Sequence, residues 1–199
     1  MIIMKTFRKI KDEIRIIAWD DGPFDFGSKG KDILVGVVFR GGKIMDGLLK
    51  TEVDIDGLDS TQRIIEKINK SKYKDARVIM FDGITVAGLN IIDIKKVYEK
   101  TKLPVIVFIR KYPDLKKFIS SLKSLPKSEK RLEILENAGP IYQGTIKDKR
   151  VHFQCYGIEK NDAEKILRKT STVGFIPEPL RVAHLIATGF NLGESVGKA

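Results

Sequence analysis

Two aspartates of this sequence directly follow apolar runs that are typical of buried strands. Asp20 follows residues 14–19 (IRIIAW), and Asp82 follows residues 77–81 (RVIMF). If the two strands are neighbours, both carboxylates project from the edge of the sheet where open α/β sheets place their ligands. Neighbouring carboxylates repel each other, and an oxygen-preferring divalent cation relieves that repulsion. The spacing therefore predicts a site for Mg²⁺ or Mn²⁺, ions that activate water against phosphodiesters. The alternative is that both aspartates only cap turns.

A third metal ligand is expected in the segment VDIDGLDS, residues 53–60. Asp54, Asp56 and Asp59 are the alternatives. Asp54 and Asp56 share one face if the strand extends that far, because side chains alternate along a strand. Asp59 has a competing role as the N-cap of the helix that begins there. Asp56 is preferred because a glycine follows it, as in the turns near the other two aspartates.

Three polar residues of the last helix are further candidates. Arg181 and His184 are three residues apart and share a helix face, and Glu178 lies at the positively polarised start of the helix. Arg181 could hold a phosphate, His184 could ligate a metal or move a proton, and Glu178 could complete the carboxylate set. A plain ion pair between Glu178 and Arg181, with His184 packed beside it, is the alternative.

The charge balance predicts a polyanionic partner. There are 37 Lys and Arg against 26 Asp and Glu, a net charge of +11 with a pI near 9.6. Nucleic acid is the expected partner, although lysine-rich surfaces also occur in heat-adapted proteins. The loop with Lys29 and Lys31 could contact a nucleic-acid backbone. It is not a phosphate-binding loop, because Asp32 follows Gly30-Lys31. The cations in the middle of the chain, Arg110 among them, are expected to lie on the solvent-facing sides of amphipathic helices.

Length and composition limit the class of protein. The 199 residues fit one domain spanning residues 1–199, and 42% hydrophobic with 32% charged residues excludes a disordered or polytopic membrane chain. Cys155 is the only cysteine, which excludes a disulfide framework and a zinc ribbon. We find no signal-peptide pattern and no apolar run of about 18 residues, so we expect a cytoplasmic protein.

The order of elements predicts a mixed α/β fold. Three strands joined by tight turns form an antiparallel meander, followed by a helix, a strand, a helix and a strand with a parallel crossover. Helices follow at residues 115–122 and 132–135, and two more near residues 162–169 and 178–188. A small hairpin over residues 141–156 is expected as an addition outside the simplest core. This order is that of ribonuclease H-like folds.

Three motifs carry a resemblance to a known family. They are the strand ending in Asp20-Asp21-Gly22-Pro23-Phe24, the strand ending in Asp82-Gly83-Ile84-Thr85, and the run IPEPLRVAH at residues 176–184. Together they resemble the prokaryotic family designated domain of unknown function 99, which is similar to endonuclease V. The resemblance implies a ribonuclease H-like fold and strand cleavage near deaminated purines, with Mg²⁺ held by a carboxylate triad that includes Asp20 and Asp82.

The sequence departs from endonuclease V at three points. The Arg-Glu pair that supplies its glutamate is absent, which leaves the third ligand open. Its Pro-Tyr-x-Pro wedge has no counterpart around residues 45–51, and Asp82-Gly83 is followed by Ile84-Thr85 instead of His-Gly. Recognition of a deaminated base is the property that these departures affect most.

We therefore predict a Mg²⁺-dependent nuclease acting on DNA or RNA. Asp20, Asp82 and Asp56 bind metal with help from Glu178, His184 takes part in catalysis, and the substrate contacts are Arg181, Lys29 and Lys31. One alternative is a nucleic-acid binding protein that keeps the fold and has lost turnover. Another is a hydrolase of small phosphoesters. The choice between DNA and RNA and the oligomeric state stay open.

Overall fold

The computed structural model describes residues 7–23 and 28–195. Its nine strands are β1 (Arg15–Asp21), β2 (Lys31–Arg40), β3 (Ile44–Asp54), β4 (Val78–Asp82), β5 (Thr85–Val86), β6 (Asn90–Ile91), β7 (Val105–Ile109), β8 (Tyr142–Ile146) and β9 (Lys149–Tyr156). The six helices are α1 (Ser60–Lys70), α2 (Ile94–Thr101), α3 (Leu115–Lys123), α4 (Ser128–Asn137), α5 (Lys160–Thr170) and α6 (Glu178–Leu192). None of the helices in the described ranges is long and apolar enough to cross a membrane.

Seven strands form one mixed sheet in the order β3-β2-β1-β4-β7-β9-β8, and β5 and β6 form a separate small hairpin. The meander of β1, β2 and β3 is antiparallel, whereas β1, β4 and β7 run parallel. The predicted mixed sheet is confirmed. The parallel strands β1 and β4 are neighbours at its centre, so the geometric condition for bringing Asp20 and Asp82 to one edge is met.

The hairpin of β8 and β9 corrects the sequence-based expectation. It was expected outside the core, but β9 pairs antiparallel with β7 and extends the main sheet. Val151 and Phe153 are fully buried in the main core cluster. Alternating polar residues made the hairpin resemble a surface addition. A strand at this position buries one face against α5 and therefore needs only half of its side chains to be apolar.

Helices cover both faces of the sheet. On one face, Ala163 and Ile166 of α5 and Leu180 and Ala183 of α6 pack with the strands. On the other face, α1 and α2 supply apolar residues, including Ile64 and Val97, to a second cluster. The pair α3 and α4 forms a smaller third cluster near β6. The sheet is therefore buried on both sides, and polar residues are accommodated mainly at its edges.

The start of α1 differs in one detail from the capping role that the sequence offers for Asp59. Asp59 is the N-cap residue, but its side chain makes no capping hydrogen bond to the helix. Its carboxylate accepts the backbone N–H of Asp54 at 3.1 Å and the side-chain amide of Asn90 at 2.8 Å. The side chain of Asp59 does not cap the helix, because Asn90, distant along the chain, offers it a different partner.

Candidate active site at the carboxyl edge of the parallel strands

Asp20 and Asp82 lie next to each other at the carboxyl ends of β1 and β4. The parallel register aligns Trp19 with Phe81, so Asp20 stands beside Asp82 in the next position. Ala18 and Met80, two residues earlier on each strand, both pack in the cluster beneath α6. Because side chains alternate, both carboxylates project from this same face. Folding thus brings together two acids that are 62 residues apart in the sequence.

His184 on α6 contacts the more buried of these acids. Its Nδ1 lies 3.0 Å from Oδ2 of Asp20, and the exposed fractions of the two side chains are 27% and 6%. Burial, and then the charges of Asp82 and Asp21, raise the pKa of Asp20 well above its usual range. Burial and the charge of Arg110 lower the pKa of His184. The two side chains are hydrogen-bonded to each other, and their surroundings disfavour the charged form of each.

Arg110 binds the other acid. It follows β7, and its guanidinium lies 2.5 Å from Oδ2 of Asp82. β7 is the parallel neighbour of β4, with Phe108 aligned to Asp82, so Arg110 reaches the carboxylate from the next strand. The Arg110 side chain is 34% exposed, against 12% for Asp82. The arginine therefore approaches the pair from the solvent side.

Two more aspartates, Asp21 and Asp32, lie at the same edge of the sheet. Asp21 accepts the backbone N–H of Ala87 at 2.6 Å, and Asp32 accepts the side-chain amide of Asn191 at 2.8 Å. Burial is the main cause that raises the pKa of Asp21 to about 6, and the charge of Asp32 adds to it. This places Asp21 in a structural role, holding the loop that follows β4.

The aspartates before α1 take part in a different hydrogen-bond network, away from the carboxylate pair. Asp56 adopts a positive φ of 54°, and its carboxylate accepts the backbone N–H of Leu89 at 2.8 Å. The buried guanidinium of Arg131 donates to the carbonyls of Asp56, Gly57 and Leu89. These contacts tie the β3–α1 turn to the β5–β6 hairpin. The carboxylate of Asp56 is therefore used inside the loop network.

Glu178 and Arg181 form the ion pair that the sequence offered as the alternative. Two hydrogen bonds of 2.8 and 2.6 Å join the guanidinium to the carboxylate. Lys29 and Lys31 are exposed at the start of β2. Within residues 7–23 and 28–195, no group of three or more His, Cys, Asp or Glu side chains is arranged to hold a metal ion. Asp20 and Asp82 are thus brought together without Asp56 or Glu178 as a preformed third ligand.

A cavity of about 160 Å³ lies beside this edge. Its wall includes Gly83 and Thr85, just after Asp82, and Ile109, just before Arg110. Most of the remaining wall is apolar and comes from α3, α4 and the segment before β8. A second cavity of about 380 Å³ shares Leu115, Leu135, Ile141 and Gln154 with it. The edge thus combines charged side chains with an apolar recess.

The mixed sheet with helices on both faces is a ribonuclease H-like fold. Endonuclease V from Bacillus subtilis superimposes with a TM-score of 0.62 at 12% identity, covering 94% of this chain and 86% of that one. Endonuclease V of Ciona intestinalis, solved with a DNA that contains an inosine, gives a TM-score of 0.52 at 14% identity over 85% of this chain and 82% of that one.

The family is shown by more direct matches. The model described as Endonuclease dU matches residues 12–191, and the chain belongs to that family. A UPF0215 protein of Methanopyrus kandleri is 46% identical, with 96% of this chain and 98% of the relative covered. A protein of unknown function from Archaeoglobus fulgidus has a TM-score of 0.80 at 38% identity, covering 88% of this chain and 97% of that chain.

Two residues at this edge are not predicted from the sequence. Arg110 is expected among the cations on the solvent-facing sides of helices, although it follows an apolar strand just as Asp20 and Asp82 do. That shared position was the signal that could have identified it. Gln154 lies in β9, which was placed outside the core. It is 3% exposed and therefore buried despite its polar side chain. No pattern in the sequence distinguishes it from an exposed residue of an alternating strand.

Proposed function

We propose that the protein is an endonuclease that hydrolyses phosphodiester bonds of DNA at deoxyuridine, with a divalent cation held by Asp20 and Asp82. The observation that carries this proposal is the side-by-side placement of two largely buried carboxylates at the carboxyl edge of β1 and β4. The family's description, Endonuclease dU, supports the reaction and the lesion. The inosine-containing DNA bound by the Ciona neighbour supports a nucleic-acid substrate.

The donor atoms of this pair fit a small, hard cation. Carboxylate oxygens are the ligands that Mg²⁺ and Mn²⁺ prefer, and two aspartates suffice when waters and a substrate phosphate supply the remaining positions. The raised pKa of Asp20 reflects the cost of burying it beside Asp82 and Asp21. A bound cation would offset that cost. Its chemistry would be to polarise a phosphate oxygen and activate water for attack.

His184 and Arg110 would handle protons and phosphate. Asp20 orients His184 through Nδ1, so that Nε2 would be the ring atom that takes a proton from the attacking water and, once protonated, gives it to the leaving oxygen. Arg110 neutralises Asp82 in the free protein and has a planar donor set suited to phosphate. We propose that it transfers part of its hydrogen bonding from Asp82 to the substrate phosphate when the cation binds.

One specific observation favours a second function, that of a nucleic-acid binding protein without turnover. Each carboxylate of the pair already has a partner, Asp20 with His184 and Asp82 with Arg110. A pair in which each acid is hydrogen-bonded in this way can persist without a cation. The net charge of +11 would still attract a polyanion. Under this alternative, DNA binding persists and no divalent ion changes the substrate.

A cleavage assay on matched oligonucleotides tests the first function against the second. The substrates are end-labelled strands with one deoxyuridine, deoxyinosine or thymidine, and an RNA of the same sequence, each with Mg²⁺, Mn²⁺ or a chelator. We expect cation-dependent cleavage at deoxyuridine that Asp20→Asn and Asp82→Asn each reduce by at least 100-fold. The control is Asp148→Asn, in the exposed β8–β9 turn.

Three outcomes would contradict the proposal. If no substrate is cleaved although DNA still binds, the second function is supported. If Asp20→Asn or Asp82→Asn cleaves as well as the wild type, the site lies elsewhere. If mononucleotide phosphoesters, assayed beside the strands, are hydrolysed and no strand is cleaved, the protein is a small-molecule phosphohydrolase.

A further inference from the structure

Gln154 is a buried polar residue at the cavity that lies at the same edge as the carboxylate pair, on the opposite face of the sheet. It lies in β9, is only 3% exposed, and lines both the 160 Å³ and the 380 Å³ cavity. Nearly all other side chains of these walls are apolar, among them Ile84, Leu115 and Phe118. A polar group at such a position is costly unless it has a hydrogen-bond partner. Its presence therefore needs an explanation.

The orientation of the Gln154 amide is fixed by one hydrogen bond. Its Nε2 donates to the carbonyl of Gly139 at 2.9 Å, and a carbonyl can accept only from the nitrogen side of the amide. The oxygen Oε1 must then point the other way. Among the described residues it has no hydrogen-bond donor, and it is not among the side-chain atoms that are fully enclosed without a partner. Oε1 is thus an acceptor at the cavity wall.

We propose that this cavity receives the uracil base and that Gln154 is the residue that selects it, by accepting a hydrogen bond from the N3–H of uracil at Oε1. The inference rests on the proposed function, because it assigns the base specificity of the same site. A base in the cavity would lie next to Gly83 and Ile109. Its phosphates would then cross the strand ends, around Gly83, to reach Asp82 and Arg110 on the other face of the sheet.

The chemistry of deamination explains why one acceptor suffices. Cytosine N3 carries a lone pair, whereas uracil N3 carries a hydrogen, so Oε1 attracts uracil and repels cytosine. A site that hydrogen-bonds one group strongly rejects the analogue that lacks it, because its own polar group stays unpaired. Thymine has the same N3–H, and only its 5-methyl group distinguishes it from uracil. Selection against thymine and against the larger purines would have to come from the shape of the apolar wall.

A substrate analogue tests the proposal without changing the protein. Binding is measured by fluorescence anisotropy with the Asp20→Asn variant, which separates base recognition from turnover. The strands carry one deoxyuridine, deoxycytidine or N3-methyl-deoxyuridine. We expect deoxyuridine to bind at least tenfold more tightly than the other two. Equal affinity for deoxyuridine and its N3-methyl analogue would overturn the proposal even if the protein proves to be an endonuclease.

Substituting the residue gives the complementary test. Gln154→Leu, combined with Asp20→Asn for the binding assay, is expected to reduce the preference for deoxyuridine over deoxycytidine at least fivefold. Gln143→Leu, at an exposed position of β8, is the matched control and is expected to keep it. Retention of the full preference by Gln154→Leu would contradict the assignment. If Gln154→Leu does not fold, the comparison with the N3-methyl analogue decides alone. Absence of cleavage by the wild type would refute the proposed function. The binding affinities test separately whether Gln154 selects the uracil base.

Discussion

Asp20 and Asp82 are neighbours across two parallel strands, yet each has its own partner on a different element. His184 of α6 contacts Asp20, and Arg110 after β7 contacts Asp82. The two acids therefore form a pair that can exist without a cation and can also receive one. Substitutions at the charged residues of this edge test its electrostatics, and substitution of Arg131 tests how the loops around it are held.

Asp21 is expected to make stability depend on pH. Its pKa in the folded protein is about 6, against 3.8 for an ordinary aspartate, so the folded state holds its proton more tightly. The stability that this proton contributes is present below pH 3.8 and is lost as the pH rises through 6. We expect Asp21→Asn to be more stable than the wild type at pH 7.5, by about 3 kcal/mol, and to differ little at pH 4.

Urea unfolding at the two pH values, with a chelator present, checks this prediction. Asparagine can still accept the hydrogen bond from the backbone N–H of Ala87, so the loop contact is kept. A variant that is less stable than the wild type at pH 7.5 would show that the Asp21 charge is stabilised by its surroundings, contrary to the burial seen here.

Arg110 is expected to affect cation binding and cleavage in opposite directions. Arg110→Leu removes the guanidinium that competes for Asp82, so Mn²⁺ should bind severalfold more tightly. The same change removes a phosphate-binding donor, and kcat/KM should fall about 100-fold. Calorimetric Mn²⁺ titration and single-turnover cleavage give the two values. Lys111→Leu, at the exposed next residue, is the control. If both quantities fall together, Arg110 supports the geometry of the pair and does not compete with the cation.

Lys29 and Lys31 are expected to contact the nucleic-acid backbone. Both are exposed at the start of β2, at the same edge as Asp20. Replacing both by alanine should lower the slope of log affinity against log salt by about 1.5, as two phosphate contacts would. The matched control replaces Lys72 and Lys74, two exposed lysines before β4 at the opposite edge of the sheet. An equal reduction in slope for both double variants would indicate a diffuse effect of net charge.

Arg131 is expected to be essential for the loops around the site. It is 3% exposed, and its guanidinium donates to the carbonyls of Asp56, Gly57, Leu89 and Pro126. Arg131→Met should lower the free energy of unfolding by at least about 3 kcal/mol, because several buried carbonyls lose a charged donor.

Chemical denaturation measures the effect of Arg131→Met, with Lys130→Met as the control. Lys130 is exposed and pairs only with Glu133, so its replacement should change stability by less than about 0.5 kcal/mol. If Arg131→Met lost no more stability than the control, solvent would be replacing the guanidinium, and the loops would be held by other contacts.

The sequence was most informative where local pattern and position in the sheet coincide. Apolar runs ending in Asp20 and Asp82 sufficed to predict strands β1 and β4 and their shared edge, because parallel strands align their carboxyl ends. The preference for Asp56 as third ligand came from a glycine and a plausible location. It could not anticipate that Leu89 and Arg131, far along the chain, form the network in which Asp56 takes part.

Contacts between residues of different helices and strands could not be predicted from local sequence pattern. The contact of His184 with Asp20 depends on where α6 crosses β1, and the Arg110 contact depends on β7 being the next strand. The burial of Gln154 depends on β9 pairing with β7. Each of these relationships is decided by tertiary packing. The ion pair of Glu178 and Arg181 could nevertheless be predicted from helical spacing, as the alternative to metal and phosphate binding, because both residues lie within one turn of α6.

Direct measurement of Mn²⁺ binding tests whether Asp20 and Asp82 act together as a cation site. Calorimetric titration compares the wild type with Asp20→Asn, Asp82→Asn and Asp56→Asn, and thermal melts with and without Mn²⁺ confirm that each variant is folded. We predict that the wild type binds Mn²⁺ and that Asp20→Asn and Asp82→Asn each weaken binding at least tenfold. We also predict that Asp20→Asn melts at a higher temperature than the wild type when no cation is present. Undiminished binding by both variants, or no binding by the wild type, would contradict the account.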